Sequence, residues 1–382
     1  MRHTLFLMIL LLSLSCTSRS QAKRDSIIDT LSDSLSDSIF PTDTLRLLFV
    51  GDLMQHQGQI NAARTSTGYD YSTCFTYVKE EIKKADLSIA NLEVTLGGKP
   101  YKGYPAFSAP DEFLTAIHDA GFNVLVTANN HSLDRGKSGL ERTIQLIDSL
   151  KVPHAGTYIN ADEREKKYPL LLEKNGFRIA LLNYTYGTNG IPVTPPNIVN
   201  YIDTAIIAKD IEESKAMKPD AIIACMHWGI EYQSLPDKEQ KFLTDWLLRK
   251  GVNHIIGCHP HVVQPIEVRE DSLTNGKHLV VYSLGNYISN MSARRTDGGL
   301  MVKMELVKDS TTRLNHCEYS LVWTARPAQS GKKNHQLLPI NFPTDSISVN
   351  ARNSLRIFAN DARSLFSKHN RGIKEYLFYK KK

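Results

Sequence analysis

The sequence predicts a layered α/β fold. Two observations predict it: short apolar runs alternate with amphipathic stretches of helical spacing, and five of those runs end on Asp, Glu, Asn or His. Composition agrees. With 382 residues, 41% hydrophobic and 23% charged, 22 Gly and 16 Pro, the chain is not disordered, collagenous or coiled-coil. A fold of ~300 residues buries about 75% of its unfolded surface, so a core forms without disulfide staples. Forty-six basic against forty acidic residues leave a charge of +6. No basic stripe is dense enough to track phosphates, which argues against nucleic acid as a partner.

Residues 1–16 read as a signal peptide of the lipoprotein type. One Arg precedes an apolar run from Thr4 to Leu14, and small Ser15 stands before Cys16. That run reaches only about 17 Å at 1.5 Å per residue, half of a ~30 Å hydrocarbon core. Ser13-Leu14-Ser15-Cys16 resembles a bacterial lipoprotein cleavage box, in which Cys16 becomes the lipidated N-terminus. An ordinary signal peptide with an incidental Cys is the alternative. Residues 17–44 are rich in Ser, Asp and Thr, with a thin apolar stripe every four positions, and read as a disordered tether. Anchor and tether together imply an extracytoplasmic protein held beside a membrane, in the periplasm or at the cell surface.

The folded domain is expected over 45–330. Strands are expected at Leu45–Val50, Leu87–Leu92, Val124–Ala128, Ile179–Tyr184, Ala221–Met226, His254–Gly257 and Leu279–Leu284. Helices are expected at Asp111–Asp119, Gly139–Leu150, Thr204–Met217 and Lys238–Arg249. Two antiparallel strands follow, Leu300–Val307 and Leu314–Trp323. A C-terminal extension, 331–382, starts in a linker over 330–348 punctuated by Gly331, Pro339 and Pro343, and carries a helix at Val349–Phe366. Cys74, Cys225, Cys258 and Cys317 show no C-x-x-C spacing, so a disulfide scaffold is excluded. Cys225 and Cys258 are expected as buried thiols, with a bridge between them as the alternative.

The strand ends carry the functional signal. They run into Gly51-Asp52, Asn91-Leu92-Glu93, Asn129-Asn130-His131, His227-Trp228-Gly229-Ile230-Glu231 and Gly257-Cys258-His259-Pro260-His261. In open α/β sheets ligands bind beyond the carboxyl ends of the strands. Neighbouring strands lie ~4.8 Å apart, so these ends can gather carboxylates, an amide and imidazoles in one patch. That mixture suits divalent Mn, Fe or Zn, one or two ions, since a bridging carboxylate can hold a pair. Any single strand-end Asp or Asn is more often a cap or turn-former; five in order are harder to explain that way.

These residues resemble the CapA, or bacterial capsule-synthesis, family, also called poly-gamma-glutamate capsule proteins and related to calcineurin-like metallophosphatases. The resemblance covers about Leu45 to Met304. It rests on Phe49-Val50-Gly51-Asp52-Leu53-Met54, Asn91-Leu92-Glu93, Ala128-Asn129-Asn130-His131 with Asp134 and Gly136, His227-Trp228-Gly229-x-Glu231-Tyr232, Gly257-x-His259-Pro260-His261-Val262-x-Gln264, and Tyr282-Ser283-Leu284-Gly285-Asn286-Tyr287. It implies a metallophosphatase-like four-layered α/β/β/α sandwich. It also implies Asp52 as first metal carboxylate, Glu93 in the bridging position, Asn130 as amide ligand, His227, His259 and His261 as imidazole ligands, and His131 as the acid. One departure stands out. The metallophosphatase motif Asp-x-His is Asp52-Leu53-Met54 here, so the second cation is expected to be weakly held or absent unless His56 or another residue supplies a donor.

Asp134 is placed to orient His131, and Glu231 to act as a base or contact a substrate amine. Trp228, Tyr232 and Asn286 are candidate substrate contacts. Three functions follow. The first is a metal-dependent hydrolase or transferase acting on an anionic envelope polymer or its precursor. The second is a non-catalytic accessory subunit of a membrane synthesis or export complex. The third is a general periplasmic phosphoesterase.

Overall fold

This computed structural model describes residues 43–271 and 276–380. The signal peptide, Cys16 and the tether up to residue 42 lie outside the described residues, as do the last two lysines. The first strand, β1 (Asp43–Leu53), begins two residues before the expected start at Leu45. Along it Leu45, Leu47 and Phe49 enter one apolar cluster while Leu48 and Val50 enter another. Side chains alternate across a strand, so a strand buried on both faces reads as a continuous apolar run.

Parallel to β1 lie β2 (Leu87–Leu92), β3 (Val124–Val126) and the two-residue β4 (His154–Ala155). The short β5 (Thr157–Tyr158) precedes a second sheet begun by β6 (Leu170–Lys174) and β7 (Phe177–Thr185); β8 (Ile198–Val199) pairs back with β5. The second sheet continues through β9 (Ala221–His227), β10 (His254–Cys258), β11 (Ile266–Glu270) and β12 (Lys277–Val281), in the order β11-β12-β10-β9-β7-β6. The chain then returns to the first sheet with β13 (Asn286–Ile288), β14 (Gly298–Lys308), β15 (Thr312–Ala325), β16 (Gln336–Pro339) and β17 (Lys374–Glu375).

Helices cover the outer faces. On the first sheet, α1 (Gln57–Ala63), α2 (Lys79–Ile82), α3 (Asp111–Ala120) and α4 (Gly136–Ser149) bury Ile60, Ile82, Phe113, Ile117 and Ile147. The short α5 (Ala161–Lys167) precedes α6 (Thr204–Ala216) and α7 (Lys238–Arg249), which put Ile207, Ile211, Leu243 and Leu247 against the second sheet. Between the sheets, Leu47, Phe49 and Ile89 of one meet Leu181, Ile223 and Val281 of the other. The layers are therefore α/β/β/α. No helix among the described residues is long and apolar enough to cross a membrane.

Two expectations need correction. First, β3 ends at Val126 and not Ala128, because the Ala128 N–H donates to Asn183 Oδ1 of the second sheet (2.8 Å). Second, 330–348 is not a linker. After the single turn α8 (Pro327–Ser330), β16 pairs antiparallel with β15 at the sheet edge, where Pro339 opposite Val322 is tolerated. The helix α9 (Val349–His369) then adds Leu355, Phe358 and Phe366 to the inter-sheet cluster. Cys225 and Cys258 are the buried free thiols expected, aligned with Ile256 and His227 on the neighbouring strands.

Candidate metal centre

Asp52 stands near the carboxyl end of β1, in register with Asn91 of β2 on one side and Asn286 of β13 on the other. Gly51 makes this crossing possible. A Cβ there would stand 1.8 Å from the Gly285 carbonyl oxygen, which accepts the Asp52 N–H at 3.0 Å. Asp52 is fully buried, and its Oδ1 accepts a hydrogen bond from Asn91 Nδ2 (2.8 Å). The same amide nitrogen lies 3.5 Å from Glu93 Oε2 and 3.3 Å from His227 Nδ1. Period-two alternation puts residues 91 and 93 on one face of the strand end, so Asn91 organises three of the expected ligands. Asn129 in turn donates to Asn91 Oδ1 (3.2 Å).

His227 closes β9. With Nδ1 facing the Asn91 amide, its Nε2 lies 2.8 Å from Asn130 Oδ1 and 3.9 Å from Glu93 Oε1. His261 Nδ1 lies 3.3 Å from Asp52 Oδ2 and 3.0 Å from Asn286 Oδ1, and its Nε2 is 3.8 Å from Glu93 Oε1. The His259 ring is 4.8 Å from that of His227 and 6.0 Å from that of His261. Both histidines of the His259-Pro260-His261 loop sit at positive φ, +103° and +58°. Such backbone costs roughly 1–3 kcal/mol per residue and persists where the surroundings impose it. The fold thus brings all six expected ligands into one buried cluster.

The donor set fits a cation. Asp52, Glu93 and His227 each offer a ligand atom, and these atoms lie within 4.8 Å of one another. Glu93 Oε1 and His259 Nδ1 are buried without a hydrogen-bond partner, and Asp52 Oδ2 has only the 3.3 Å approach of His261 Nδ1. An unmade bond on a buried polar atom costs roughly 1–3 kcal/mol, and a bound cation would recover it. Burial raises Glu93 well above the ordinary carboxylate range, and the adjacent Asp52 charge raises it further. Burial also raises Asp52, but the His261 contact, helped by His227 and the Asn91 amide, outweighs it and holds Asp52 low. Burial pushes His227 well down and His259 down to about 3, which keeps both neutral and ligand-competent.

Beside the cluster, His131 Nδ1 meets Asp134 Oδ2 at 2.8 Å, and the Phe107 N–H donates to the same oxygen (2.8 Å). Phe107 sets its ring edge-on between His131 (4.6 Å) and His56 (5.2 Å). His56 is not drawn into the cluster: its Nδ1 accepts the Asn290 N–H (3.3 Å), and burial lowers its pKa to about 4. Met54, at the second-cation histidine position, packs in the outer apolar cluster. Gln55 is fully buried with neither amide atom bonded.

The expected substrate contacts divide. Tyr232 is half exposed, its ring 6.2 Å from that of His261, and Glu231 beside it is exposed. Trp228 is no substrate contact. It is buried in the cluster beneath α6 and α7, and its Nε1–H donates to the Tyr282 carbonyl (3.0 Å). Asn286 is likewise fully buried; its Oδ1 meets His261 and its Nδ2 donates to the Thr296 carbonyl (2.8 Å), so it orients the His261 ring. Tyr186 was missed. It follows β7, half exposed, with its ring 4.5 Å from His259 and stacked 6.3 Å from His227. The only signal was its place just past a strand end.

The chain is 28% identical over 284 residues to "Capsule biosynthesis protein CapA" of Bacillus anthracis, covering 71% of this chain and 66% of the relative. It is 28% identical over 281 residues to "PGA biosynthesis protein CapA" of Bacillus subtilis, covering 72% and 71%. The chain thus spans about two thirds of the length of these relatives. Among solved structures, the calcineurin-like phosphoesterase YfkN of Bacillus subtilis aligns at TM-score 0.45 and 14% identity over 85% of this chain and 99% of that one. The NAD nucleotidase of Haemophilus influenzae aligns at 0.47 and 12% over 89% and 65%. The family described as "Bacterial capsule synthesis protein PGA_cap" matches residues 46–291, which hold every residue of the metal cluster. The chain belongs to that family.

Proposed function

We propose that this protein is an envelope-anchored, metal-dependent hydrolase or transferase acting on an anionic capsule-type polymer or its precursor. One observation carries this reading: two buried atoms, Glu93 Oε1 and His259 Nδ1, lack hydrogen-bond partners beside Asp52 and His227, in a cluster whose other members are all metal-ligand types. Asp52, Glu93, Asn130, His227, His259 and His261 would hold one or two divalent ions of Mn, Fe or Zn. Such ions polarise a substrate oxygen and lower the pKa of a coordinated water toward ~7. The polymer follows from the capsule and PGA biosynthesis names of the relatives. Anchoring follows from the sequence around Cys16.

The chain's own groups supply the rest. Asp134 holds His131 through Nδ1, which leaves Nε2 to give a proton to the departing oxygen or nitrogen. Tyr186 and Tyr232 form the rim near the imidazoles, where they shape entry and limit water. Exposed Glu231 is placed to meet a substrate amine. The accessory-subunit reading is favoured by one observation, the packing of Met54 in the outer cluster where the related motif has a histidine. Metal analysis of purified protein, followed by turnover of a polyglutamate oligomer and of an aryl phosphate, separates the readings. Bound metal with polymer turnover supports the first. Less than one metal equivalent and no turnover after adding Mn, Fe or Zn would remove it in favour of the accessory role. Turnover of the aryl phosphate alone would favour a general phosphoesterase.

A further inference from the structure

A cleft of about 210 Å³ runs along α9 and is lined by Ser234, Val263, Arg295, Phe358, Asp361, Ala362, Leu365, Lys368 and their neighbours. Residues 358, 361, 362, 365 and 368 recur at helical spacing on one face of α9, so apolar and charged groups interleave along the cleft. The opposite wall comes from the metal-centre loops. Val263 is two residues from His261, and Ser234 is two from Tyr232, so each lies within about 7 Å along the backbone of a residue at the centre or its rim.

The charge in the cleft is unbalanced. Arg294 engages both oxygens of Asp361 (2.7 and 2.8 Å), which commits that carboxylate. Arg295, at φ +75°, reaches the same carboxylate at only 3.3 Å while donating to Ser234 Oγ (3.2 Å). Lys368 is exposed and makes no ion pair among the described residues. Two cationic heads thus face a cleft whose floor is Val263, Phe358, Ala362 and Leu365.

We propose that this cleft binds a polycarboxylate chain in which carboxylates are separated by short methylene segments, and leads it to the metal centre. Lys368 and the Nη2 of Arg295, the guanidinium nitrogen not engaged by Asp361 or Ser234, take the carboxylates, and the aliphatic floor takes the spacers. This rests on the polymer-processing reading above and specifies how that polymer is held. An anionic chain without apolar spacers gains less from the floor, and a neutral chain gains nothing from the cations.

The test is binding of a defined poly-γ-glutamate oligomer to the purified full chain by titration calorimetry at low salt. The double variant R295E/K368E should weaken binding at least tenfold. The same charge change at K166E/K209E, outside the cleft, should leave it within twofold. K368Q, a milder change at an exposed position, should weaken it severalfold and keeps the test valid if the double variant unfolds. Binding by R295E/K368E or K368Q equal to the unmodified chain overturns the cleft assignment and leaves the polymer-processing reading standing. An equal loss in K166E/K209E overturns it as well, since attraction would then be general. Competition by polyphosphate or dextran as strong as by the oligomer overturns the carboxylate assignment. If the metal-loaded, unmodified chain binds no oligomer at all, the polymer reading itself fails.

Discussion

His131 is held by Asp134 through a 2.8 Å contact in which both side chains are almost wholly buried. The arrangement fixes the orientation of the imidazole, as acid catalysis requires. Asp134→Asn is therefore expected to lower kcat by about 10–100-fold, and His131→Ala by about 10²–10⁴-fold. Both losses should shrink for substrates whose leaving group needs no proton, such as an activated aryl ester. Equal losses for good and poor leaving groups would show that the pair acts in positioning alone.

Glu93 and Asp52 share one buried site, and burial together with the Asp52 charge raises Glu93 far above the usual range. Two carboxylates so placed oppose each other unless a cation lies between them. Chelation should lower Tm, and Glu93→Gln should abolish metal binding while raising the Tm of the metal-free protein. Calorimetric melting with and without chelator checks both. A metal-free Glu93→Gln variant that melts below the metal-free parent contradicts this account.

Asn91 touches Asp52, Glu93 and His227 through one amide nitrogen. It orders ligands without needing to be one. Asn91→Leu should cost about 10–100-fold in metal affinity, in line with other outer-shell partners. Competition against a chromophoric chelator reads that shift, and an unchanged affinity would remove Asn91 from the design.

His254 is buried at the start of β10, where its Nδ1 accepts the Leu279 N–H of β12 (3.0 Å). Burial pushes its pKa down to about 3, against ~6.5 in the unfolded chain. Between those values the unfolded chain binds a proton that the folded one does not. Stability should therefore fall as pH drops from about 6.5 toward 3, by about 1.4 kcal/mol per pH unit for this one group. His254→Asn, which keeps an acceptor for Leu279, should flatten the slope by one proton. Denaturant titrations at pH 7 and pH 5 measure it, and an identical slope in the variant rules His254 out as a contributor.

The legible part of the site was the part written as local pattern. Asp52, Glu93, Asn130, His227, His259 and His261 each follow an apolar run, so periodicity placed them at strand ends before any contact was known. Residues whose role depends on register or on the second sheet were not legible. Asn91 and Asn286 reach their partners by flanking Asp52 in parallel register. Trp228 looked like a cleft residue because it follows His227, yet its indole found the Tyr282 carbonyl in the core. The four-residue β16, bounded by Pro339, gave no alternation long enough to read as a strand, and only pairing with β15 reveals it.

Asn183 belongs to one sheet, yet its side-chain oxygen accepts the N–H groups of Thr127 and Ala128 from the other (3.1 and 2.8 Å). The turn carrying Asn130 and His131 is thus shaped by a residue beyond its own half of the sandwich. Metal uptake then reports on docking of the halves. A nascent chain whose first four strands had folded alone would not yet sequester an ion, which would delay any metal-dependent reactivity until both sheets are docked.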